Sequence, residues 1–494
     1  MNFDTCYCAI EHNDERFDGE FFTAVLTTGI YCRPTCHART PKRENVRFFS
    51  TAAAASEAGF RPCLRCRPES APELFIYNQP SPIVSRALRL MSEGILDEQS
   101  LDEFANMLHI STRQLRRYFV DELGAPPIAV AQTRRLLFAK KLIDETRLPM
   151  TEVAFSAGYS SIRRFNEAIR QTYGRTPSAL RNSRQNKKQA ADIKYSQLKL
   201  YYCPPFDWPL IMAFLHQRAI PGVEIVENNV YKRTVKFEDT IGIIEVEPVE
   251  NERYCLVRVP NTLSRHLLTI TERVKRIFDL RTNPSTMIET LSKDKELGRL
   301  IQKYPGLRVP GAWDKFEVAV RAILGQQISV KAATTFCGRV AEMYGDPVPE
   351  PQHPKLTHVF PTPDRLSRAT LTEIGLTNKR ALTLQTFSKA IDQGDLSLQT
   401  AHTLDDAVKS LTTISGIGPW TANYIAMRAL SEPDAFPSGD LILRRAASGI
   451  SDTALTTSQL QQKAENWRPW RAYATLLLWT DYASQSKLED VAGP

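Results

Sequence analysis

"LTTISGIGPWTANYIAMRAL", residues 411–430, decides how the larger half of the chain is read. Helix-forming residues flank Gly416-Ile417-Gly418, so the glycines predict a tight turn between two helices. A turn without side chains lets backbone amides come close to a phosphate. Twenty residues after Trp420 stands Asp440, in "DAFPSGDLILRR". A glycine turn alone is a weak signal, and so is one aspartate. The pair at this spacing is specific.

Outward from this turn, the last 210 or so residues read as helices broken by Gly and Pro. Before them, short runs such as "NNVYKRTVKF" and "IGIIEVEPV" predict an antiparallel sheet. "NSRQNKKQAADIK" is polar and charged and reads as a linker. The expected organisation is a cysteine-bearing first domain at 1–76, a helical domain at 77–182 and a linker at 183–194. A β domain at 195–283 and a helix-hairpin-helix domain at 284–487 follow. The fold class is multidomain α+β and mostly helical.

The second segment contains a near-repeat. In "LDEFANMLHISTRQLRRYF", Leu101, Phe104, Ala105 and Leu108 share one helical stripe. A turn follows at His109 and Ile110, and Ser111 can cap a second helix. About fifty residues later, "MTEVAFSAGYSSIRRFNEAI" repeats the plan. It places Ala154 and Ala157 before a turn at Gly158, a cap at Ser160 or Ser161, then Phe165 and Ile169. The second helix of each unit presents Arg113, Gln114, Arg116 and Arg117, or Arg163 and Arg164, for a major groove. With its "YGRTPSALR" ending, the segment resembles the AraC-type DNA-binding domain.

Cys32-x3-Cys36 and Cys63-x2-Cys66 have the spacing of a four-thiolate zinc site. A first domain of ~75 residues has a small core, so a metal would add stability. Zinc also keeps a thiol deprotonated, and the thiolate is the nucleophilic form. Eight basic residues surround the ligands: Arg33, Arg39, Lys42, Arg43, Arg47, Arg61, Arg65 and Arg67. Arg33, Arg61 and Arg65 are the candidate phosphate contacts. "GEFFTAVLTTGIYCRPTCHARTPKRENVRFF" with "AGFRPCLRCRP" resembles the N-terminal domain of the Ada methylation-response family. That resemblance implies that Cys32 is both a zinc ligand and an irreversible acceptor of methyl from DNA methylphosphotriesters. The family's "PCHR" motif of O6-methylguanine transfer is absent here.

Residues 198–482 resemble the 3-methyladenine DNA glycosylase II family, the AlkA type. The matching runs are "YCPPFDWPLIMAFLHQRAI", "GLRVPGAWDKFEVAVRAILGQQISV", "GIGPWTANY" and "WRPWRAYATLLLWTDY". The resemblance implies Asp440 as the catalytic carboxylate and Phe214, Trp420, Tyr424 and Trp479 as an aromatic base pocket. It implies Gly416 and Gly418 at the DNA backbone and a monovalent cation on the carbonyls of Thr412, Ile414 and Ile417. Lyase-type relatives carry a Schiff-base lysine where Trp420 stands, which implies a monofunctional enzyme. Two positions depart from the family's best-known member. Gln327 occupies the place of an intercalating leucine, and Thr480 that of a pocket aromatic.

The 494 residues carry a net charge of +8, and 42% are hydrophobic. From Ser111 to Lys188 there are 16 Lys and Arg against 6 Asp and Glu, while the rest of the chain is nearly neutral. This basic block suggests phosphate contacts. No apolar run approaches ~18 residues, and the start lacks a signal-peptide pattern. A cytoplasmic, nucleoid-associated protein is expected, with double-stranded DNA and RNA polymerase as partners and no membrane. The leading reading is an alkylation-response activator fused to a repair glycosylase. One alternative is a regulator whose glycosylase-like half is inactive. Another is an enzyme that uses its front half only as a DNA anchor.

Overall fold

The computed structural model describes residues 2–73, 81–182, 194–349, 353–398, 403–449 and 453–491. Nearly all of the expected linker, 183–193, lies outside the described residues. The chain is mostly helical with small sheets. It divides into two compact units. The first comprises Met1–Cys203, Phe237–Lys275 and Leu280–Thr282, and the second Pro204–Lys236, Arg276–Asp279 and Asn283–Pro494. No described helix is long and apolar enough to cross a membrane.

The first unit begins with a four-stranded sheet in the order Val46–Phe49, Phe22–Val25, Ile30–Cys32, Arg61–Pro62. Phe21 packs with Cys6, Tyr7 and Ile10 of the helix Phe3–Glu11, and its neighbour Phe22 packs with Tyr31, Ala52 and Ala55. Alternate residues thus serve separate cores on the two faces. The last pairing is parallel, with Tyr31 opposite Pro62. It places Cys63 beside Cys32 although 30 residues separate them in sequence.

The two helix-turn-helix units follow. Leu101–Met107 and Thr112–Leu123 form the first, and Met150–Ser156 and Ile162–Tyr173 the second. Ser100 and Ser111 each make a capping box, with Glu103 and Gln114. Ser161, not Ser160, caps the second recognition helix. Phe104, Ala105, Leu108, Leu115 and Phe119 are buried in one core. The helix Pro127–Glu145 joins the two units.

That joining helix carries a buried charge cluster. Arg67 bonds to Glu69, Asp144 and Glu145 at 3.2, 3.3 and 3.0 Å. Lys140 pairs with Asp144 at 2.6 Å and Lys141 with Glu145 at 3.2 Å. Lys141 also donates to the Lys199 carbonyl, and the Lys199 N–H donates to Glu145 at 3.0 Å. Strand Tyr195–Tyr201 is therefore tied to the same helix. It pairs antiparallel with Tyr254–Pro260, which pairs with Thr240–Pro248.

Residues of the expected 195–283 segment fall in both compact units. Strands 195–201, 254–260 and 240–248 pair in that order, and 224–227 pairs with 230–237. The first three strands belong to the first unit. The Lys141–Glu145–Lys199 contacts bind strand 195–201 to the long helix.

The second unit contains the hairpin Glu224–Glu227 and Val230–Phe237, turned at Asn228-Asn229 with both φ positive. Its helices include Trp208–Arg218, Lys315–Leu324, Val330–Tyr344, Asn378–Asp392, Leu404–Thr412, Pro419–Arg428, Leu441–Ala446 and Arg471–Val491. Phe316, Ile323, Leu384, Phe387, Ala422 and Ile425 belong to its core.

Removing Arg67 would leave three buried carboxylates facing two lysines. Stripping one partner from such a cluster costs about 3–5 kcal/mol. Arg67→Met is expected to lower the first thermal transition by on the order of 10 °C, read by calorimetry.

Candidate functional site

The sulfurs of Cys32, Cys36, Cys63 and Cys66 all lie within 4.8 Å of one another. The hairpin Phe22–Cys32 delivers the first thiol, and the parallel pairing at Pro62 delivers the third. Backbone N–H groups of Arg33 and Arg65 donate to the sulfurs of Cys66 and Cys63, each at 3.3 Å. Such donors fit electron-rich thiolate ligands. Hydrogen bonding with Cys32 above all drives the Cys63 thiol down and the Cys66 thiol up. Four sulfurs this close need a cation before all can be thiolates.

The surrounding basic residues fall into two groups. Arg39, Lys42, Arg43, Arg47 and Arg65 are exposed, and Arg61 is half-buried. Arg33 differs from the expected phosphate contact. Its Nε donates to Asp18 at 2.8 Å, a second guanidinium nitrogen pairs with the same carboxylate, and Nη1 donates to the Cys66 carbonyl at 3.3 Å. Its guanidinium also sits 5.8 Å from the Tyr201 ring centre. Its side chain is 14% exposed. Asp18 takes it up because a cation between two ligand cysteines is drawn to the nearest buried carboxylate. Arg67 is likewise engaged, as described above.

On the recognition helices, Arg113, Gln114, Arg116 and Arg117 are exposed, as are Arg163 and Arg164. The Gln114 side-chain carbonyl accepts the Ser111 N–H at 3.0 Å, so its amide also serves the cap.

In the second unit the turn at 413–418 joins helices Leu404–Thr412 and Pro419–Arg428. Gly416 has φ +93°, and a Cβ there would lie 2.1 Å from Thr383 Oγ1. Gly416 and Gly418 are exposed. Gln326 Nε2 donates to the Gly416 carbonyl and to Thr421 Oγ1, each at 2.9 Å. Its neighbour Gln327 is exposed with φ +57°. The Gln326 bonds anchor the loop bearing Gln327 to the hairpin.

Asp440 caps the helix Leu441–Ala446, and its Oδ1 accepts the Leu443 N–H at 2.7 Å. Trp479 Nε1 donates to the same oxygen at 3.1 Å, and Trp420 Nε1 donates to Oδ2 at 3.0 Å. All three partners are N–H donors, so the group is held as an acceptor. The rings of Trp420 and Tyr424 lie 5.5 Å apart at 16°, and Trp479 stands 6.4 Å from Tyr424 at 41°. These half-buried side chains form one aromatic wall beside the carboxylate.

Phe214 joins the wall through two arginines that sequence reading missed. Arg428 lies 4.6 Å from the Phe214 ring centre and donates to Tyr424 Oη at 3.1 Å. Arg218 lies 3.8 Å from the Phe214 ring centre. Burial resists ionisation of the Tyr424 hydroxyl, yet Arg428 and Arg218 hold its pKa below the ordinary phenol value. A signal existed: Trp420, Tyr424 and Arg428, and separately Phe214 and Arg218, follow i, i+4 spacing on their helices. Thr480 is half-buried beside Trp479.

Four families cover these sites. Residues 5–69 match the metal binding domain of Ada and 104–183 a helix-turn-helix domain. Residues 197–314 match the AlkA N-terminal domain and 320–471 the HhH-GPD superfamily of base excision DNA repair proteins. Over 481 residues the chain is 40% identical to a probable bifunctional transcriptional activator/DNA repair enzyme AlkA of Mycobacterium tuberculosis, covering 97% of this chain and 96% of that one. The chain belongs to this family. It is also 34% identical to DNA-3-methyladenine glycosylase 2 of Escherichia coli, over 57% of this chain and 95% of that protein. The 3-methyladenine DNA glycosylase of Archaeoglobus fulgidus shares the fold, with a TM-score of 0.51 and 22% identity. That match covers 58% of this chain and 98% of the other.

The four-cysteine cluster is thus a zinc site in an Ada-type domain. One zinc per chain is expected by metal analysis. Its removal by a strong chelator is expected to unfold the 2–73 region, seen as loss of amide protection there. Retention of that protection in metal-free protein would contradict this.

Proposed function

We propose that the chain is an alkylation-response activator whose second unit excises alkylated purines, of the 3-methyladenine type, from DNA. The observation that carries the excision reading is Asp440, an acceptor-only carboxylate between two indoles at the end of an aromatic wall. A nucleotide must leave the duplex to reach it, at a cost of a few kcal/mol. The wall can stack an electron-poor base and add cation–π attraction of roughly 0.5–2 kcal/mol. As the C1′–N bond breaks, its electron pair leaves with the base and positive charge grows on the sugar. Oδ2 of Asp440 takes one protein donor and keeps a lone pair to stabilise that charge or orient water. Water then adds its hydroxyl to C1′ and releases a proton. Trp420, which bonds to Asp440, stands where lyase-type relatives carry a Schiff-base lysine and cannot form an imine, which supports hydrolysis without strand cleavage.

The hairpin glycines would hold the DNA backbone, and Gln327 would fill the gap left by the flipped base. The carbonyls of Thr412, Ile414 and Ile417 are candidates for a monovalent cation. The Ile414 oxygen also accepts the Ile417 N–H at 3.0 Å.

In the first unit, Cys32 would take methyl from a methylphosphotriester. The methyl–oxygen bond breaks, a sulfur–carbon bond forms, and the electron pair stays on the phosphate. The four-thiolate zinc site then changes from −2 to −1, which removes one unit of repulsion toward the DNA backbone. At ~4–6 Å and an effective dielectric near 20 this is worth roughly 3–4 kcal/mol before screening. Salt reduces it, so a tenfold to hundredfold gain in promoter affinity is expected. The recognition-helix arginines would read the promoter, with RNA polymerase as the protein partner. Of the phosphate contacts expected here, Arg65 is exposed and Arg61 half-buried.

Asp440→Asn is expected to lower the single-turnover rate of 3-methyladenine release by at least about a hundredfold while DNA affinity changes little. Undiminished release by this variant would remove Asp440 from the mechanism. Release of nothing by the wild type would favour a regulator with an inactive second unit.

Peptide mass spectrometry after exposure to methylated DNA should place one methyl group on Cys32. Methyl on Cys36 or Cys66 instead, or equal promoter binding with and without methylation, would overturn the switch.

A further inference from the structure

The cleft contains a cation that base hydrolysis leaves unused. Three guanidiniums gather near Phe214 and Tyr424, and two of them are tied down. Arg428 is buried and donates to the carbonyls of Pro310 and Gly311 as well as to Tyr424. Arg321 is buried and donates to the Arg218 carbonyl at 2.7 Å and to Thr334 Oγ1 at 2.6 Å.

Arg218 is held differently. It is half-buried, and its hydrogen bonds to the Phe214 carbonyl and Gln217 Oε1 are both at 3.5 Å, the outer limit. Among the described residues no carboxylate pairs with it. Burial, offset in part by Tyr424 and reinforced by Arg428 and Arg321, brings its pKa down to about 10, so it stays charged at neutral pH. A partly desolvated cation without a counter-ion is costly. Acceptors on a bound ligand would compensate.

The order of groups along the cleft suggests which ligand. Asp440 stands at one end and bonds to Trp420 and Trp479. Tyr424 comes next, and Arg218 lies beyond it on Phe214. A flipped nucleotide with its C1′ at Asp440 and its base against Trp420 and Tyr424 directs its far edge toward Arg218. On a 6-oxopurine that edge carries adjacent O6 and N7 acceptors, which match the guanidinium fork. A 6-aminopurine turns N–H donors there, and a cationic methylated base adds like charge.

We propose that Arg218 is a specificity-determining residue that reads the far edge of the flipped base and favours neutral 6-oxopurine lesions. This rests on the Asp440 cleft being the excision site. It also means that the pocket is not tuned for cationic bases alone.

The test uses the full chain as wild type, Arg218→Gln, Arg218→Lys and the Asp440→Asn blank. Single-turnover kcat/KM is measured for hypoxanthine in a duplex oligonucleotide and for 3-methyladenine in methylated DNA. The ratio of the two rates is taken within each preparation, so an inactive fraction cancels. Arg218→Gln is expected to lower hypoxanthine release at least tenfold and 3-methyladenine release less than threefold. Arg218→Lys, which keeps the charge and loses the fork, is expected to fall between. Parallel losses on both bases, an unchanged ratio, or a wild type that releases 3-methyladenine but no hypoxanthine would overturn the assignment. A wild type that releases neither base would instead remove the excision reading on which it rests.

Discussion

Six charges withdrawn from water hold the first unit together. Arg67, Lys140 and Lys141 face Glu69, Asp144 and Glu145 around the helix Pro127–Glu145. Replacing such a cluster wholesale with apolar residues is often neutral or stabilising. What the charges contribute is register, because each satisfied pair fixes the position of the next. Arg67 directly follows the ligand Cys66, so the metal clip is placed relative to the joining helix. Glu145 extends the cluster to the backbone of Lys199, so a strand of the AlkA-type β segment is placed as well. Sensor, paired recognition helices and this strand share one electrostatic junction.

The second unit applies the same rule to catalysis. A carboxylate in an aromatic cleft is unstable unless donors surround it, and Asp440 has three. One of them is the N–H at the start of its own helix, where the aligned peptide dipoles also favour an anion. The other two are indoles, whose apolar faces remain free to line the base pocket. Trp420 and Trp479 thus serve the carboxylate with their edges and, in the proposed excision, would serve the substrate with their faces. Arg218 lies against Phe214, so a nucleotide bound as proposed would lie between an anion and a cation.

The sites were legible in the sequence to different degrees. Cysteine spacing, the capped near-repeat and the glycine turn with Asp440 are local patterns, and each appears in the structure at the expected residues. The rings of Phe214, Trp420, Tyr424 and Trp479 gather along one wall, and their use as a base pocket belongs to the proposed function. Arg33 shows the limit. Its place between two ligand cysteines suggested a phosphate contact, but only the folded chain brings Asp18 against it. Arg218 and Arg428 were missed because an arginine one turn after an aromatic is common on any helix. Only packing reveals that Arg428 is tied to the carbonyls of Pro310 and Gly311, while Arg218 keeps only bonds at 3.5 Å.

By itself the sequence determined which chemistries the chain carries: a four-thiolate clip, two capped recognition helices, and a hairpin followed by a carboxylate. Each depends on contacts within a few turns of chain, where spacing alone dictates geometry. The tertiary structure decided how they are joined. The parallel pairing of Tyr31 with Pro62 brought the two cysteine pairs together. The Lys141–Glu145–Lys199 contacts tied strand 195–201 to the helix Pro127–Glu145. These outcomes rest on partners tens to hundreds of residues apart, selected by the cost of burying an unpaired charge or backbone group. That cost exists only once the chain has folded and excluded water.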